Sequence, residues 1–197
     1  MKLALFDFDG TLTTTETFSP FLRFAIPQKR LTWVRWCLWP LVLGYKLQLI
    51  SARFTRIWLS RFCYQGMSGT ELNQLGNQFA LEYIPSVIYK KTLSRLIWHQ
   101  QQGHEVAIVS ASLDIYLRPW CKSLGIHLLC SQLEIKNNIA TGQYTTGDCS
   151  GINKYQHIIR HYQLEQYETI YAYGNSIEDN EMLDIADIKY YQGKVIQ

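Results

Sequence analysis

The chain has 197 residues, 47% of them apolar or aromatic and 18% charged, with a formal net charge of +3. Apolar material on this scale excludes a disordered chain, and the length suits one domain or one core bearing a modest insertion. Five cysteines, odd in number and without Cys-x-x-Cys spacing, exclude a disulfide framework and a cysteine zinc site and read as reduced, packed thiols.

The first element is an apolar run from Leu3 to Phe8, which ends in Asp7 and Asp9 and is followed by Gly10 and Thr11. It predicts a buried strand near 3–8 that delivers both carboxylates to its carboxyl end, where open α/β sheets bind ligands. In an extended chain Asp7 and Asp9 project to the same side. Two like charges that close are costly unless a cation sits between them, which points to a hard divalent metal. The same residues also fit an ordinary strand running into an Asp-Gly turn. The chain enters this strand directly, with no signal-peptide pattern, and is expected to be cytoplasmic.

Residues 16–84 differ in character. Between Thr17 and Thr70 there is no aspartate or glutamate but there are eight basic residues, Arg53 and Arg56 among them. Four of the six tryptophans, Trp33, Trp36, Trp39 and Trp58, lie here too. Helical spacing, punctuated by Pro27 and Pro40, predicts a helical cap inserted between the first and second core strands, with the chain returning to the core near Pro85. The core is then 1–15 together with 85–197. The longest uncharged run, Trp36 to Tyr45, is about ten residues, too short to span a bilayer. Two readings of this composition stand side by side. One is an interfacial helix in peripheral contact with anionic lipid at the inner membrane surface. The other is a set of aromatics that packs the cap onto the core beneath a solvated basic face. No nucleic-acid-binding module is present and the basic residues are confined to one insertion, so no nucleic-acid partner is expected.

Further along, Glu105–Ser110 predicts a second buried strand ending in the hydroxyls of Ser110-Ala111-Ser112, and Leu113–Leu124 predicts a helix that Ser112 is placed to cap. Leu133-Glu134-Ile135 and Ile139–Tyr144 flank Asn137-Asn138, a pair able to take the positive φ angles of a tight hairpin turn. Lys154 opens a helical stretch, Lys154–Gln163, just after Ser150-Gly151. Thr169–Gly174 predicts a third core strand, followed by Asn175, Glu178 and Asp179 and by a helix over Glu181–Ala186. Strands alternating with helices argue for a mostly parallel sheet covered on both faces. His104, His127, His157 and His161 have no ligand spacing and read as structural or surface groups.

Aspartate, serine, lysine and acid, in that order at strand ends, resemble the four signature motifs of the haloacid dehalogenase superfamily of phosphotransferases. The Ser-Ala-Ser turn, Leu124-Gly125-Ile126, and the run from Thr141-Gly142-Gln143-Tyr144 through Cys149-Ser150-Gly151 to Lys154 are similar to its phosphoserine phosphatase-like branch. The resemblance implies an α/β fold, a Rossmannoid core with a parallel sheet plus the helical cap after the first strand. It implies a Mg2+-dependent phosphomonoester hydrolase that works through an aspartyl-phosphate. On this resemblance Asp7 would be the nucleophile and Asp9 the general acid and then the general base. Mg2+ would be held by Asp7, the Asp9 main-chain carbonyl, Asn175 and Asp179. Ser110 would hydrogen-bond a phosphoryl oxygen and Lys154 would neutralise charge on the nucleophile and the transferring group. Gly10, Thr11 and Ala111 would complete the phosphate cradle.

One position departs from the pattern. The family usually carries aspartate after the glycine corresponding to Gly174, whereas this chain has Asn175 and keeps Asp179 at the expected later place. An amide oxygen ligates a hard cation but adds no charge. Three outcomes are open: weaker Mg2+ binding, a direct role for Asp179 or Glu178, or a catalytically impaired phosphoryl-binding protein of the same fold. As to substrate, Glu16 stands where phosphoserine phosphatases carry a glutamate that meets the substrate amine, and Arg53 or Arg56 near their carboxylate-binding arginine. Glu16 equally fits a charge at a helix start. The hydrophobic, basic cap is instead similar to that of relatives acting on phosphatidylglycerophosphate. The expected partner is a small-molecule or lipid phosphomonoester.

Overall fold

The computed structural model describes residues 1–196; Gln197, the last position of the expected core range, lies outside them. Lys2–Phe6 (β1) has no polar face after Lys2, so it belongs in the middle of a sheet. Ala4 and Phe6 pack into one hydrophobic cluster and Leu3 and Leu5 into another. The strand is flanked on one side by Glu105–Leu113 (β2) and then His127–Ser131 (β3), and on the other by Thr169–Gly174 (β6), Ile188–Tyr191 (β7) and Lys194–Ile196 (β8). All neighbours in this sheet run parallel except the pair β7–β8.

The helices cover both faces. Ile152–His161 (α8) and Asn180–Asp184 (α9) pack on the Leu3 and Leu5 side. On the Ala4 and Phe6 side lie Lys90–Gln101 (α6) and Asp114–Ser123 (α7). A separate antiparallel hairpin joins Leu133–Lys136 (β4) to Ile139–Tyr144 (β5), and its turn residues Asn137 and Asn138 take φ of +49° and +62°. The α/β architecture with a mostly parallel sheet is therefore the one the sequence predicts.

Element ends differ where local chemistry differs. β1 stops at Phe6 rather than Phe8, yet the Asp7 amide still donates to Tyr173 O at 2.9 Å, so Asp7 remains in line with the sheet. β2 runs past Ser110 to Leu113 with a shift of register against β3 between those residues. Ser112 thus sits in the strand and caps no helix; the residue before α7 is Leu113, which provides no side-chain cap. α8 opens at Ile152, which places Lys154 in its first turn. β3, β7, β8 and α6 add to the expected elements. α6 is hard to see in sequence because only Leu96 and His99 are buried along its length.

Between β1 and β2 the chain builds Phe18–Ala25 (α1), Gln28–Lys46 (α2), Ala52–Tyr64 (α3), Gly69–Glu82 (α4) and Ile84–Val87 (α5). The insert leaves and returns through a neck in which Thr14 N donates to Val87 O at 2.8 Å and Tyr89 N to Leu12 O at 2.8 Å. Its near helices are welded to the core: Phe21 of α1 and Phe79 of α4 both pack on Tyr116 of α7. At Gly76 a Cβ would lie 2.2 Å from Ile115 O, so this α4–α7 crossing needs glycine. The tryptophans of α2 do not pack the cap onto the core. Trp33, Trp36 and Trp39 all face solvent, so the packing of cap on core falls to other aromatics, Phe21 and Phe79 among them.

Candidate active site

The carboxyl ends of β1, β2 and β6 are neighbours in the sheet, so residues far apart in sequence meet there. Lys154 Nζ donates to Asp7 Oδ1 at 2.6 Å and to Asp179 Oδ1 at 2.5 Å, and all three side chains are buried. The other Asp179 oxygen accepts from Asn175 N, Ser176 N and Ser176 Oγ at 3.0, 2.9 and 3.0 Å. Asp179 therefore folds the loop after β6 back onto itself. Gly174 permits this fold, because a Cβ there would lie 2.6 Å from Asp179 Cβ.

Asp9 is held by a different set. Thr17 donates to its Oδ1 through N (2.9 Å) and Oγ1 (2.7 Å), and Ser112 Oγ donates to Oδ2. Tyr116 OH lies 3.1 Å from Thr17 Oγ1 and backs this network. Sequence reasoning missed Thr17, Ser112 and Tyr116. For Ser112 a signal existed: in an extended strand it projects to the same side as Ser110.

Charge in the site is unbalanced: Asp7 and Asp179 share the ammonium of Lys154, and Asp9 adds a third carboxyl close enough to act on Asp7. Burial pushes the Asp7 carboxyl up to about 7, against the pull of Lys154 and with the help of Asp179 and Asp9. Burial also raises Asp9, although Ser112 and Thr17 oppose it. For Lys154 burial works toward neutrality, but Asp7 and Asp179 outweigh it and hold the ammonium above its ordinary range. For Asp179 burial is likewise overcome, here by Lys154 and the loop amides, and its carboxyl sits below the usual range.

This imbalance bears on a cation. One end of the Asn175 side-chain amide lies 3.1 Å from Asp9 O, 3.2 Å from Asp7 Oδ2 and 3.3 Å from Thr11 Oγ1. As Nδ2 that end donates to the first two; as Oδ1 it joins them in a cluster of three oxygens that a hard cation would hold together. The donor set fits such an ion and contains one carboxylate, one main-chain carbonyl and one amide. Among the described residues no three His, Cys, Asp or Glu side chains are grouped for a metal. Gly10 makes the approach feasible: its φ is +77°, and a Cβ would lie 2.2 Å from Asn175 Nδ2.

A cavity of about 700 Å³ joins this centre to the insert. Asp7, Asp9, Ser110, Ala111, Lys154 and Asn175 line one end. Phe18, Leu22, Leu31, Val42 and Leu59 form apolar walls, and Arg23, Arg35 and Lys46 add basic groups that sequence reasoning had not singled out. Glu16 lines the cavity and also accepts from Ser19 N at 3.0 Å, so it caps α1. Arg56 borders the cavity, but its guanidinium is engaged by Asp148 (2.8 and 2.9 Å) and Glu178 (3.0 Å). Arg53 is exposed and is not part of the lining. Gly10 and Thr11 stand behind the cavity wall: Gly10 N donates to Thr13 Oγ1 at 3.3 Å and Thr11 Oγ1 meets Asn175.

Residues 4–184 match the haloacid dehalogenase-like hydrolase family. Protein CicA of Caulobacter vibrioides is 27% identical, over 96% of this chain and 85% of that protein. A protein of unknown function from Bordetella pertussis Tohama I has the same fold at a TM-score of 0.82 and 19% identity, with 95% of this chain and 88% of that one covered. A substrate-bound phosphoserine phosphatase complex superposes with a TM-score of 0.68 at 17% identity, over 96% of this chain and 85% of that one. The family match takes in all three core strands and the insert between them, and on that ground the chain belongs to the haloacid dehalogenase-like hydrolases.

Proposed function

We propose that the protein is a Mg2+-dependent phosphatase that hydrolyses phosphomonoesters through an aspartyl-phosphate on Asp7. The observation that carries this reading is the junction of Asp7 with Lys154 on one oxygen and with the Asn175 amide and Asp9 carbonyl near the other, at the end of a ligand-sized cavity. Likeness in fold to phosphoserine phosphatases supports it.

In the first step an Asp7 oxygen attacks phosphorus, a new P–O bond forms, and the bond to the ester oxygen breaks. Asp9 donates its proton to the departing oxygen, a role suited to a carboxyl whose proton affinity is raised by burial. In the second step Asp9, now a carboxylate, takes a proton from water as the water oxygen attacks phosphorus. The bond to Asp7 breaks and inorganic phosphate leaves. Lys154 and Ser110 offset and orient charge on the phosphoryl oxygens. A bound Mg2+ would be held by Asp7, the Asp9 carbonyl and Asn175, and would supply positive charge between the anionic nucleophile and the anionic phosphoryl group. Asp179 acts on this reading through Lys154 and the loop.

The cavity favours a phosphomonoester whose alcohol carries apolar bulk over a small zwitterion. Arg56 is already paired, Arg53 is outside the lining, and the walls facing Asp7 are largely apolar. The test is phosphate release from phosphoserine, small sugar phosphates and phosphatidylglycerophosphate, with Mg2+ and with chelator. Metal-dependent release that Asp7→Asn abolishes is the expected result. Failure of the folded protein to release phosphate from any of them would favour the phosphoryl-binding alternative.

A further inference from the structure

A helix that is apolar all round is ordinarily buried on every side. α2 is apolar on both faces but buried on only one. Its inner residues, Val34 and Leu38 among them, pack into the main core, while the outer face presents Trp33, Trp36, Trp39 and Leu43 to solvent, with Leu47 exposed just past its end. Trp36 is 76% exposed and Trp39 57%. The surface continues onto α3: Trp33 meets Phe62 at 5.8 Å, Phe62 meets Trp58 at 5.9 Å, and Trp58 meets Phe54 at 6.0 Å. Trp58 and Phe54 are themselves exposed. An unpartnered apolar patch of this extent marks an interaction site.

We propose that this outer face of α2 and α3 docks the protein on the surface of an anionic lipid bilayer. Charge selects the occupant. Residues 17–70 carry eight basic side chains and no acidic one; Arg56 pairs with Asp148 and Glu178 of the core, and the remaining seven give this insert its excess of positive charge. A two-fold contact with a second copy would oppose that basic surface with itself, whereas anionic headgroups offset it. Tryptophan and leucine interleaved with lysine and arginine suit the boundary between headgroups and acyl chains. No helix among the described residues is long and apolar enough to cross a membrane, so the contact is peripheral.

Docking also explains where the cavity opens. Arg35, Tyr45 and Lys46 are exposed, line the cavity and belong to the same helix as the tryptophans. With the outer face on the bilayer, the basic edge of the cavity lies at headgroup level, where a phosphomonoester lipid presents its charged end. This last link rests on the phosphatase reading; docking itself does not.

The experiment uses the full chain carrying Asp7→Asn and vesicles free of phosphomonoester lipid, so binding is measured independently of turnover. Co-sedimentation is compared for phosphatidylcholine vesicles and for phosphatidylcholine mixed with phosphatidylglycerol, with and without the combined changes Trp33→Ser, Trp36→Ser and Trp39→Ser. The expected result is binding to the mixed vesicles that weakens with salt and falls roughly tenfold or more in the triple variant. In the background with Asp7 intact, the triple variant should hydrolyse a small soluble phosphomonoester at the parental rate. Absence of binding at low salt, equal binding to neutral vesicles, or undiminished binding by the triple variant would each overturn the proposal. So would a dimer, seen by sedimentation velocity without vesicles, that the triple variant loses. A wild-type chain that binds vesicles but releases no phosphate would sink the phosphatase reading and leave the docking surface standing.

Discussion

At the scale of single residues, the site shows how one buried carboxylate serves function at the expense of stability. Asp7 is pushed up to about 7 from its ordinary 3.8, so the native state binds a proton that the unfolded chain does not between those values. Its contribution to stability is fully present below about 3.8 and is lost as pH rises through about 7. Asp7→Asn should therefore abolish hydrolysis yet raise the melting temperature at pH 8. The stability gain is on the order of 1–4 kcal/mol and shrinks as pH falls toward 5. Thermal unfolding at the two pH values checks this, and a variant less stable than the parent at pH 8 would contradict it.

Asp9 invites a second substitution. Ser112 Oγ donates to its carboxylate, and removing that donor in Ser112→Ala leaves the ionised form less well supported. The proton affinity of Asp9 should rise further. The alkaline limb of the kcat/KM profile should then move to higher pH, with a loss of roughly ten- to a hundredfold in rate. A Ser112 that merely packs would lower the rate without moving the limb.

At the scale of elements, Arg56 fastens α3 to two loops of the core. Its fork meets both oxygens of Asp148, a fully buried side chain, and its Nη2 also reaches Glu178, next to Asp179. Asp148 is further supported by Ser150 Oγ. Arg56→Ala would strand a buried carboxylate and should destabilise the protein by about 2–4 kcal/mol in denaturant unfolding. Arg56→Lys should recover only part of this, because an ammonium cannot reproduce the planar two-point contact. A change below about 0.5 kcal/mol, typical of exposed ion pairs, would show that the contact does not tie cap to core.

At the scale of the whole molecule, Asp7 meets Lys154 across 147 residues of sequence and Lys154 meets Asp179 across 25, so a ligand at this centre should be felt in global stability. Mg2+ at about a hundred times its Kd should stabilise the native state by about 2.7 kcal/mol relative to chelator. Asn175→Asp sharpens this. The added carboxylate would sit 3.2 Å from Asp7 Oδ2, so the variant should melt lower in chelator and gain more from Mg2+ than the parent. An identical metal response in both would remove Asn175 from the ligand set.

What could be read in the sequence was the chemistry concentrated at strand ends. An apolar run closing on Asp7 and Asp9, a second on Ser110, and a third on Gly174 and Asn175 identify the parallel sheet, because buried central strands leave their polar groups at the ends. The Asn137-Asn138 turn was legible for an equally local reason, its tolerance of positive φ. Side-chain direction was not. Composition placed four tryptophans in the insert but could not say which way they face, and only the packing of α2 on its inner side leaves Trp33, Trp36 and Trp39 outward. Arg53 and Arg56 are three positions apart, yet one is exposed and the other is locked to Asp148 and Glu178. Ser112 suits a helix cap by sequence and holds Asp9 in the fold, because β2 continues through it. Local pattern thus determined the three central strands, the hairpin and the reactive residue types at the strand ends, since strand formation and turn chemistry depend on near neighbours. Tertiary structure alone decided the partners of those residues, since hydrogen bonds and burial join segments that the chain itself keeps apart.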